Sequence, residues 1–196
     1  MGIILLRRPN LVTSFDPATL SLTGWWRASY TGSPWVPSTS AGTSGSNGNM
    51  ATVVTGASVG TAVNAYTPAD FNGSSTYLRD GTSAASFLGT SSTIVCLFRA
   101  RTATAPSATK YQDTQLLSTG NADFSLGFNT SGVVGFSFAG SSQNLAVAAS
   151  TGVYHLAMAR IGGGVMGVTL DSNAEVTMGC GTPGTPGGYM QMGLGY

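Results

Sequence analysis

The stretch STIVCLFRAR, residues 92–101, decides the fold class of this chain. In an extended strand its side chains alternate between two faces, so that Ile94, Cys96 and Phe98 share one face and the residues between them share the other. Both faces are apolar in the middle of the stretch. This pattern is typical of an inner strand of a two-sheet sandwich, and it predicts a buried β-strand here.

Short extended runs recur along the rest of the chain and are separated by glycine and asparagine turns. Asn-Gly and Asp-Gly pairs favour tight hairpins because both residues tolerate positive φ. The three consecutive glycines at 162–164 predict a hairpin of the same kind. No segment of about twelve residues follows the helical period. Strands at this spacing predict an antiparallel sandwich or barrel. The runs are 69–78, 92–101, 115–120, 123–129, 133–140, 144–150, 152–160 and 165–171.

The chain has 196 residues, of which 42% are hydrophobic, and this is enough for one large domain preceded by an arm. Residues 1–17 are predicted to form an extended N-terminal arm, since prolines block regular pairing around a short apolar run. An ordinary first strand and an arm that packs on a neighbouring subunit remain alternatives for this segment. Residues 18–196 are predicted to form the sandwich, with a long flexible loop at about 31–49.

The beginning of the chain lacks the pattern of a secretory signal. Arg7 and Arg8 follow the short apolar run, whereas a signal places its positive charges before a longer one. No apolar run approaches the roughly 18 residues that are needed to cross a bilayer. We therefore expect no contact with a membrane.

Charged residues are scarce. They make up 8% of the chain, against about 25% in an average soluble domain. Serine, threonine and 28 glycines take their place, with Glu175 as the single glutamate and Lys110 as the single lysine. A nearly neutral, hydroxyl-rich surface favours a subunit of a large assembly, because a free monomer of this kind tends to associate. The net charge of +1 without a basic stripe argues against nucleic-acid binding.

Three short motifs follow one another in a familiar order. They are Phe71-Asn72-Gly73 with Tyr77-Leu78, then Gly152 with Tyr154-His155, and finally Asp171-Ser172-Asn173. With the surrounding strands from Phe15 onward, this order resembles the concanavalin A-like lectin/glucanase superfamily. It is most similar to the laminin-G-like jelly rolls of bacterial surface proteins and bacteriophage virion proteins. The resemblance implies an all-β fold, a two-sheet antiparallel jelly-roll sandwich.

The chain departs from that family at its end. Family members usually continue for one or two strands beyond the equivalent of Tyr196, and these strands return beside the first ones. An open sheet edge is a template for pairing. Either the ending is truncated, or the N-terminal arm or a neighbouring subunit completes the sandwich edge, and we favour completion.

The acidic residues do not form the pattern of a glycosidase. Glycoside hydrolysis uses two carboxylates roughly 5–10 Å apart, and the glucanase branch of the family carries them as E-x-D-x-x-E, which is missing here. Glu175 stands alone, and the aspartates stand singly in turn contexts. His155 is the one histidine, and no G-x-S-x-G motif accompanies it. We therefore predict a non-enzymatic protein in which His155 packs or binds backbone.

Two further sets of residues are candidate binding sites, and their sequence patterns are less specific than a catalytic motif. Asp171 and Asn173 form a candidate calcium pair, because lectin-like sandwiches hold calcium at loop carboxylates, although turn formation is the alternative reading. Trp35, Tyr111 and Tyr189 are candidate glycan platforms, with loop anchoring or interface packing as the alternative. No other cofactor is expected.

The two cysteines form no metal-binding pattern. Cys96 lies inside the apolar stretch and is most simply a small buried hydrophobe. A disulfide between Cys96 and Cys180 is the alternative. A zinc site needs more histidines and cysteines than the chain contains.

The sequence therefore favours a non-enzymatic structural protein of a tailed-bacteriophage virion, either a capsid decoration or a tail or fibre component. Its place would be the surface of the extracellular particle, and its partners other copies of itself and other virion proteins. The alternative is a carbohydrate-binding adhesin module that recognises host-surface glycans. A glycosidase or lyase is a third hypothesis, which the missing carboxylate pair disfavours.

Overall fold

The computed structural model describes residues 32, 50–52, 57–63, 67–71, 77–83, 91–100, 115–119, 124–128, 132–138, 141–180 and 189–193. In this part of the chain the regular elements are β-strands, and the strands within each sheet pair antiparallel. The predicted all-β antiparallel fold is confirmed for these residues. They contain no helix that is long and apolar enough to cross a membrane. The predicted arm and nearly all of the predicted loop at 31–49 lie outside them.

Thirteen strands are described. Their order in the sheets is β1-β4-β13-β6-β7-β8-β9 in a seven-stranded sheet, β12-β11-β10-β5 in a four-stranded sheet, and β2-β3 in a two-stranded one. The strands are β1 (Met50–Thr52), β2 (Ser58–Val59), β3 (Ala69–Asp70), β4 (Tyr77–Ser83), β5 (Ser92–Arg99), β6 (Gln115–Thr119), β7 (Phe124–Phe128), β8 (Val133–Phe138), β9 (Ser141–Ala148), β10 (Tyr154–Gly162), β11 (Val165–Leu170), β12 (Val176–Gly179) and β13 (Tyr189–Gly193).

The core lies between the two larger sheets, whose apolar side chains form one buried cluster. Phe124 and Phe136 of the seven-stranded sheet make an edge-to-face contact with ring centroids 5.1 Å apart. Such a contact contributes about 1 kcal/mol beyond the area that it buries. The four-stranded sheet contributes the smaller Ala157 and Ala159 from β10 and Met166 from β11, all fully buried. Strand β11 packs against β8 and β9, so the two sheets face each other as in a β-sandwich.

Strand β5 lies within the stretch that predicted it. Cys96 and Phe98 belong to the core on one face, and Leu97 on the opposite face is 5% exposed. The strand is therefore buried on both faces through its middle, as its uninterrupted apolar run predicts.

A glycine turn joins β10 to β11. Gly162 pairs with Val165, which leaves Gly163 and Gly164 as a two-residue loop with φ of 59° and 75°. A type I′ hairpin needs positive φ at both of these positions, and glycine adopts it without a steric penalty. The hairpin that the three consecutive glycines predict is therefore present.

Both cysteines are free thiols in the structure. Burial raises the pKa of Cys96 to about 12, so this thiol is protonated at neutral pH. Cys180 is half-buried at the end of β12. The disulfide alternative is therefore not formed.

The two thiols should differ in reactivity towards an alkylating reagent at pH 8. We expect iodoacetamide to modify Cys180 in the native protein and Cys96 after unfolding in urea, because the thiolate is the reactive species and burial suppresses it. Peptide mass spectrometry of native and unfolded samples measures both sites. Equal labelling of the two cysteines in the native protein would contradict the described packing of β5.

Candidate functional site

Three polar side chains meet at one end of the four-stranded sheet, and we call them the histidine cluster: Ser150, His155 and Asp171. Nε2 of His155 lies 3.2 Å from Ser150 Oγ. Nδ1 of His155 lies 2.7 Å from Asp171 Oδ2. The connectivity from hydroxyl to imidazole to carboxylate is that of a nucleophilic triad.

The backbone fixes the carboxylate of this cluster. Asp171 follows β11 in the left-handed region, with φ of 54°, which aspartate tolerates better than most residues. Its N–H donates to the Leu156 carbonyl at 2.8 Å, and its Oδ1 accepts from the Leu156 N–H at 2.8 Å. The turn is closed by Asn173, whose side-chain amide donates to the Leu170 carbonyl at 2.8 Å. Asp171 thus extends the pairing of β10 and β11 by one position while it holds His155.

Packing fixes the imidazole ring. His155 is 8% exposed and its ring centroid lies 5.6 Å from that of Phe98, on the neighbouring strand. Nε2 is also 3.0 Å from the carbonyl oxygen of Ser150. His155 is thus buried and packed, and it joins two side chains that the sequence separates widely. Its Nε2 donates to the Ser150 carbonyl when it carries a proton and accepts from the Ser150 hydroxyl when it does not.

A second feature is the outer face of the four-stranded sheet, which points away from the core. The register places Leu97 opposite Leu156, and Val95 opposite Met158. We call these four residues the outer apolar face. Leu156 is 40% exposed, Val95 and Met158 are half-buried and Leu97 is buried, whereas the outer face of an antiparallel sheet is usually polar. The guanidinium carbon of Arg99 lies 5.5 Å from the ring centre of Tyr154 at one end of this face.

An ion pair borders the other end of the outer apolar face. Arg160 donates from Nη2 to Glu175 Oε2 at 2.9 Å and from Nε to Oε1. Hydrogen bonding to Glu175, followed by its negative charge, raises the pKa of Arg160. Gly167 lies opposite Arg160 in the register, and a Cβ at Gly167 would overlap the Glu175 carboxylate. The missing side chain therefore lets Glu175 reach across β11.

This arrangement predicts that Gly167→Ala costs more when Glu175 is present. In the wild type the new methyl group displaces Glu175 and breaks its surface ion pair with Arg160. In a Glu175→Ala background the same change should be neutral or stabilising, because alanine reduces the entropy of the unfolded chain. Urea unfolding of the four members of this cycle measures the difference. Equal effects of Gly167→Ala in both backgrounds would contradict the described contact.

A third feature crosses the seven-stranded sheet, and we call it the serine row. It lies on the face away from the core, since Ser125 alternates with the buried Phe124 and Leu126. Ser125 is nevertheless fully buried, and its hydroxyl lies 2.8 Å from that of Ser137. The row consists of Gln191, Ser125 and Ser137; in register, Ser118 of β6 stands between Gln191 and Ser125, and Ser125 stands opposite Ser137.

One member of the serine row has an unsatisfied polar atom. Gln191 is 7% exposed, and its Oε1 is buried without a hydrogen-bond partner. Buried acceptors are normally paired, and an unpaired one costs about 1–3 kcal/mol. A ligand that donates a hydrogen bond there would remove this penalty.

The residues singled out in the sequence are distributed as follows. Trp35 and Tyr111 lie outside the described residues, and Tyr189 opens β13 with a side chain that the structure does not describe. Asp171 and Asn173 share one turn, where both side chains make internal hydrogen bonds. No cluster of three or more metal-ligating side chains occurs among the described residues.

Sequence reasoning missed Ser150 and Gln191 as candidate functional residues. Ser150 lies in a run of small residues, and its partner His155 becomes a neighbour through the loop that precedes β10. Gln191 stands between two methionines, so strict alternation marked it as the polar residue of β13. That alternation was the available signal for the outer face, although it does not reveal burial.

No protein-family model and no curated protein matches this sequence. The family resemblance therefore depends on the short motifs alone.

Proposed function

We propose that this chain is a structural protein of a tailed-phage virion, a capsid decoration or a tail or fibre component on the particle surface. Its domain would be a concanavalin A-like jelly roll preceded by an N-terminal arm at 1–17. The proposal is supported by the motif order, by the 8% content of charged residues and by the apolar side chains of the four-stranded sheet's outer face. The proposal rests mainly on these apolar side chains of the outer face.

The outer apolar face has the composition of a protein interface. Its centre consists of aliphatic and methionine side chains, and its ends carry Arg99 with Tyr154, and Arg160 with Glu175. Stable interfaces combine an apolar centre with a polar rim, and tyrosine, methionine and arginine are enriched in them. Association would remove Leu156 from water and would place the two arginines at the rim. The partners would be other copies of the chain or other virion proteins.

Leu156→Glu tests this role. A carboxylate at the centre of the face has to be desolvated on association, so we expect the dissociation constant to rise by about 30-fold or more. Sedimentation velocity of the purified protein and its incorporation into particles are the measurements. Val59→Glu is the matched control, because Val59 is 51% exposed in β2, outside the four-stranded sheet.

The result can contradict the proposal in two ways. A wild-type protein that stays monomeric and separates from particles would remove the assembly role. Equal effects of Leu156→Glu and Val59→Glu would show that the outer apolar face is not the interface. Electron microscopy of the particle would locate the chain directly.

A carbohydrate-binding adhesin is the second candidate, and the serine row favours it. Hydroxyl and amide groups in line across a sheet suit a neutral ligand rich in hydroxyls. The unpaired Oε1 of Gln191 is buried, and it would accept a hydrogen bond from such a ligand once the side chain turns outward. Binding through Trp35, Tyr111 and Tyr189 on the loops remains a separate prediction.

A glycan array distinguishes the two locations. If the serine row binds the sugar, we expect Gln191→Leu to lower the affinity for the retained sugar by about fivefold, which corresponds to the loss of one hydrogen bond. Trp35→Ala and Tyr189→Ala should reduce binding instead if the loops are responsible. Thr177→Val on β12 is the control. A wild-type protein that retains no sugar would exclude the adhesin role.

A further inference from the structure

We infer that Ser150 is a nucleophile activated by His155 and Asp171, able to attack carboxylic esters and similar acyl donors. This activity goes beyond the assembly role and does not depend on it. The three residues lie on three different segments, namely the loop before β10, β10 itself and the turn after β11. Triads are recognised by geometry and by the role of each group, and they occur in several chain orders on unrelated folds.

The distances fit the first proton transfer. With its proton on Nδ1, His155 donates to Asp171 Oδ2 at 2.7 Å and leaves Nε2 to accept from the Ser150 hydroxyl at 3.2 Å. A general base has to lie within hydrogen-bond reach of the proton that it removes, and this distance meets the condition. Ser150 itself is exposed, so a substrate can reach the hydroxyl.

The base is preorganised by its surroundings. Asp171 is held by two hydrogen bonds to the backbone of Leu156, and the ring of His155 lies against Phe98. Neither group has to be reoriented when the hydroxyl proton moves. Fixed orientation of this kind is the main contribution of the third member of a triad.

The Ser150 carbonyl gives the transferred proton an acceptor. It lies 3.0 Å from Nε2. At this distance an unprotonated Nε2 and the carbonyl oxygen repel each other through their lone pairs, whereas a protonated Nε2 donates a hydrogen bond to that oxygen. The imidazolium that forms during attack would then donate to Asp171 on one side and to this carbonyl on the other. The cluster thus stabilises the imidazolium that forms in the transition state more than it stabilises the neutral imidazole of the resting state.

The loop around Ser150 is anchored on both sides. The Ala149 N–H donates to the Gly132 carbonyl at 3.1 Å, and the Gly152 N–H donates to the Ala100 carbonyl at 2.9 Å. Within the described part of the chain, no backbone carbonyl accepts from the amides of Ser150 and Thr151. These two N–H groups are the candidates for stabilising an oxyanion at the attacked carbonyl.

The reaction balances without a cofactor. Ser150 Oγ forms a bond to the carbonyl carbon of the ester while its proton passes to Nε2 of His155. The bond from that carbon to the alkoxy oxygen then breaks, and the alkoxide leaves as an alcohol with the proton from Nε2. Water, deprotonated by the same nitrogen, attacks the acyl-enzyme and releases the carboxylic acid and free Ser150.

An alkyl fluorophosphonate probe tests the nucleophile in the full-length protein. Attack forms the Oγ–P bond and expels fluoride, and intact-mass and peptide mass spectrometry locate the adduct. We expect wild-type Ser150 to be labelled about 100-fold faster than the serine of N-acetylserine amide, the contribution of general-base catalysis. A wild-type rate equal to that of N-acetylserine amide would overturn the inference.

Asp171→Asn tests the role of the carboxylate. Asparagine tolerates the left-handed backbone and keeps an oxygen for the Leu156 N–H. Its NH2 group would face Nδ1 of His155 and force the proton onto Nε2, which then cannot accept from Ser150. We expect the labelling rate to fall about 100-fold in this variant, with the far-UV circular dichroism unchanged.

Two further variants keep the result decisive. Ser150→Ala should abolish the adduct, and Thr177→Ala, which removes an exposed hydroxyl on β12, should keep the wild-type rate. Labelling of Ser150 at the same rate in folded Asp171→Asn would show that the cluster is a structural clamp. Should Asp171→Asn fail to fold, the comparison of wild type with N-acetylserine amide decides by itself. None of these outcomes affects the assembly role, which Leu156→Glu tests separately.

Discussion

The structure depends on the complementarity between the inner faces of its two larger sheets. One face carries the phenyl rings of Phe124, Phe136 and Phe138, and the opposite one carries alanines on β10 beside larger side chains on β11. Large residues on one layer against small ones on the other let the layers approach without voids. Because both inner faces serve the core, function is left to the outer faces and to the strand ends.

The outer faces and the strand ends each depart from the pattern expected of a surface that contacts only water. The outer face of a sheet is usually polar, but the four-stranded sheet carries leucines, valine and methionine there, and Leu156 among them is exposed. Polar side chains on an outer face should be hydrated, but Ser125 is fully buried and Gln191 has an unpaired oxygen. A buried histidine at the start of a strand should serve packing alone, but His155 of β10 connects a hydroxyl to a carboxylate. A stable sandwich requires none of these features.

The sequence predicted what depends on local pattern and missed what depends on long-range pairing. The apolar run at 92–101 and the glycines at 162–164 were sufficient to predict β5 and the β10–β11 hairpin. By contrast, β13 lies between β4 and β6, an insertion that turn chemistry cannot indicate. Asp171 was interpreted as a turn former, and it does form a turn. Its contact with His155 was hidden because it requires the register of two strands.

That register follows from the hairpin once its geometry is known. A two-residue turn at Gly163 and Gly164 pairs Gly162 with Val165, and the pairing then runs without a bulge to Ala157 and Leu170. The next position sets Leu156 against Asp171, where the two backbone-anchored hydrogen bonds form. A slip of one residue would turn His155 to the outer face and would separate it from the carboxylate. The histidine cluster therefore depends on two glycines at the far end of the same hairpin, because the type I′ turn that sets this register has positive φ at both positions.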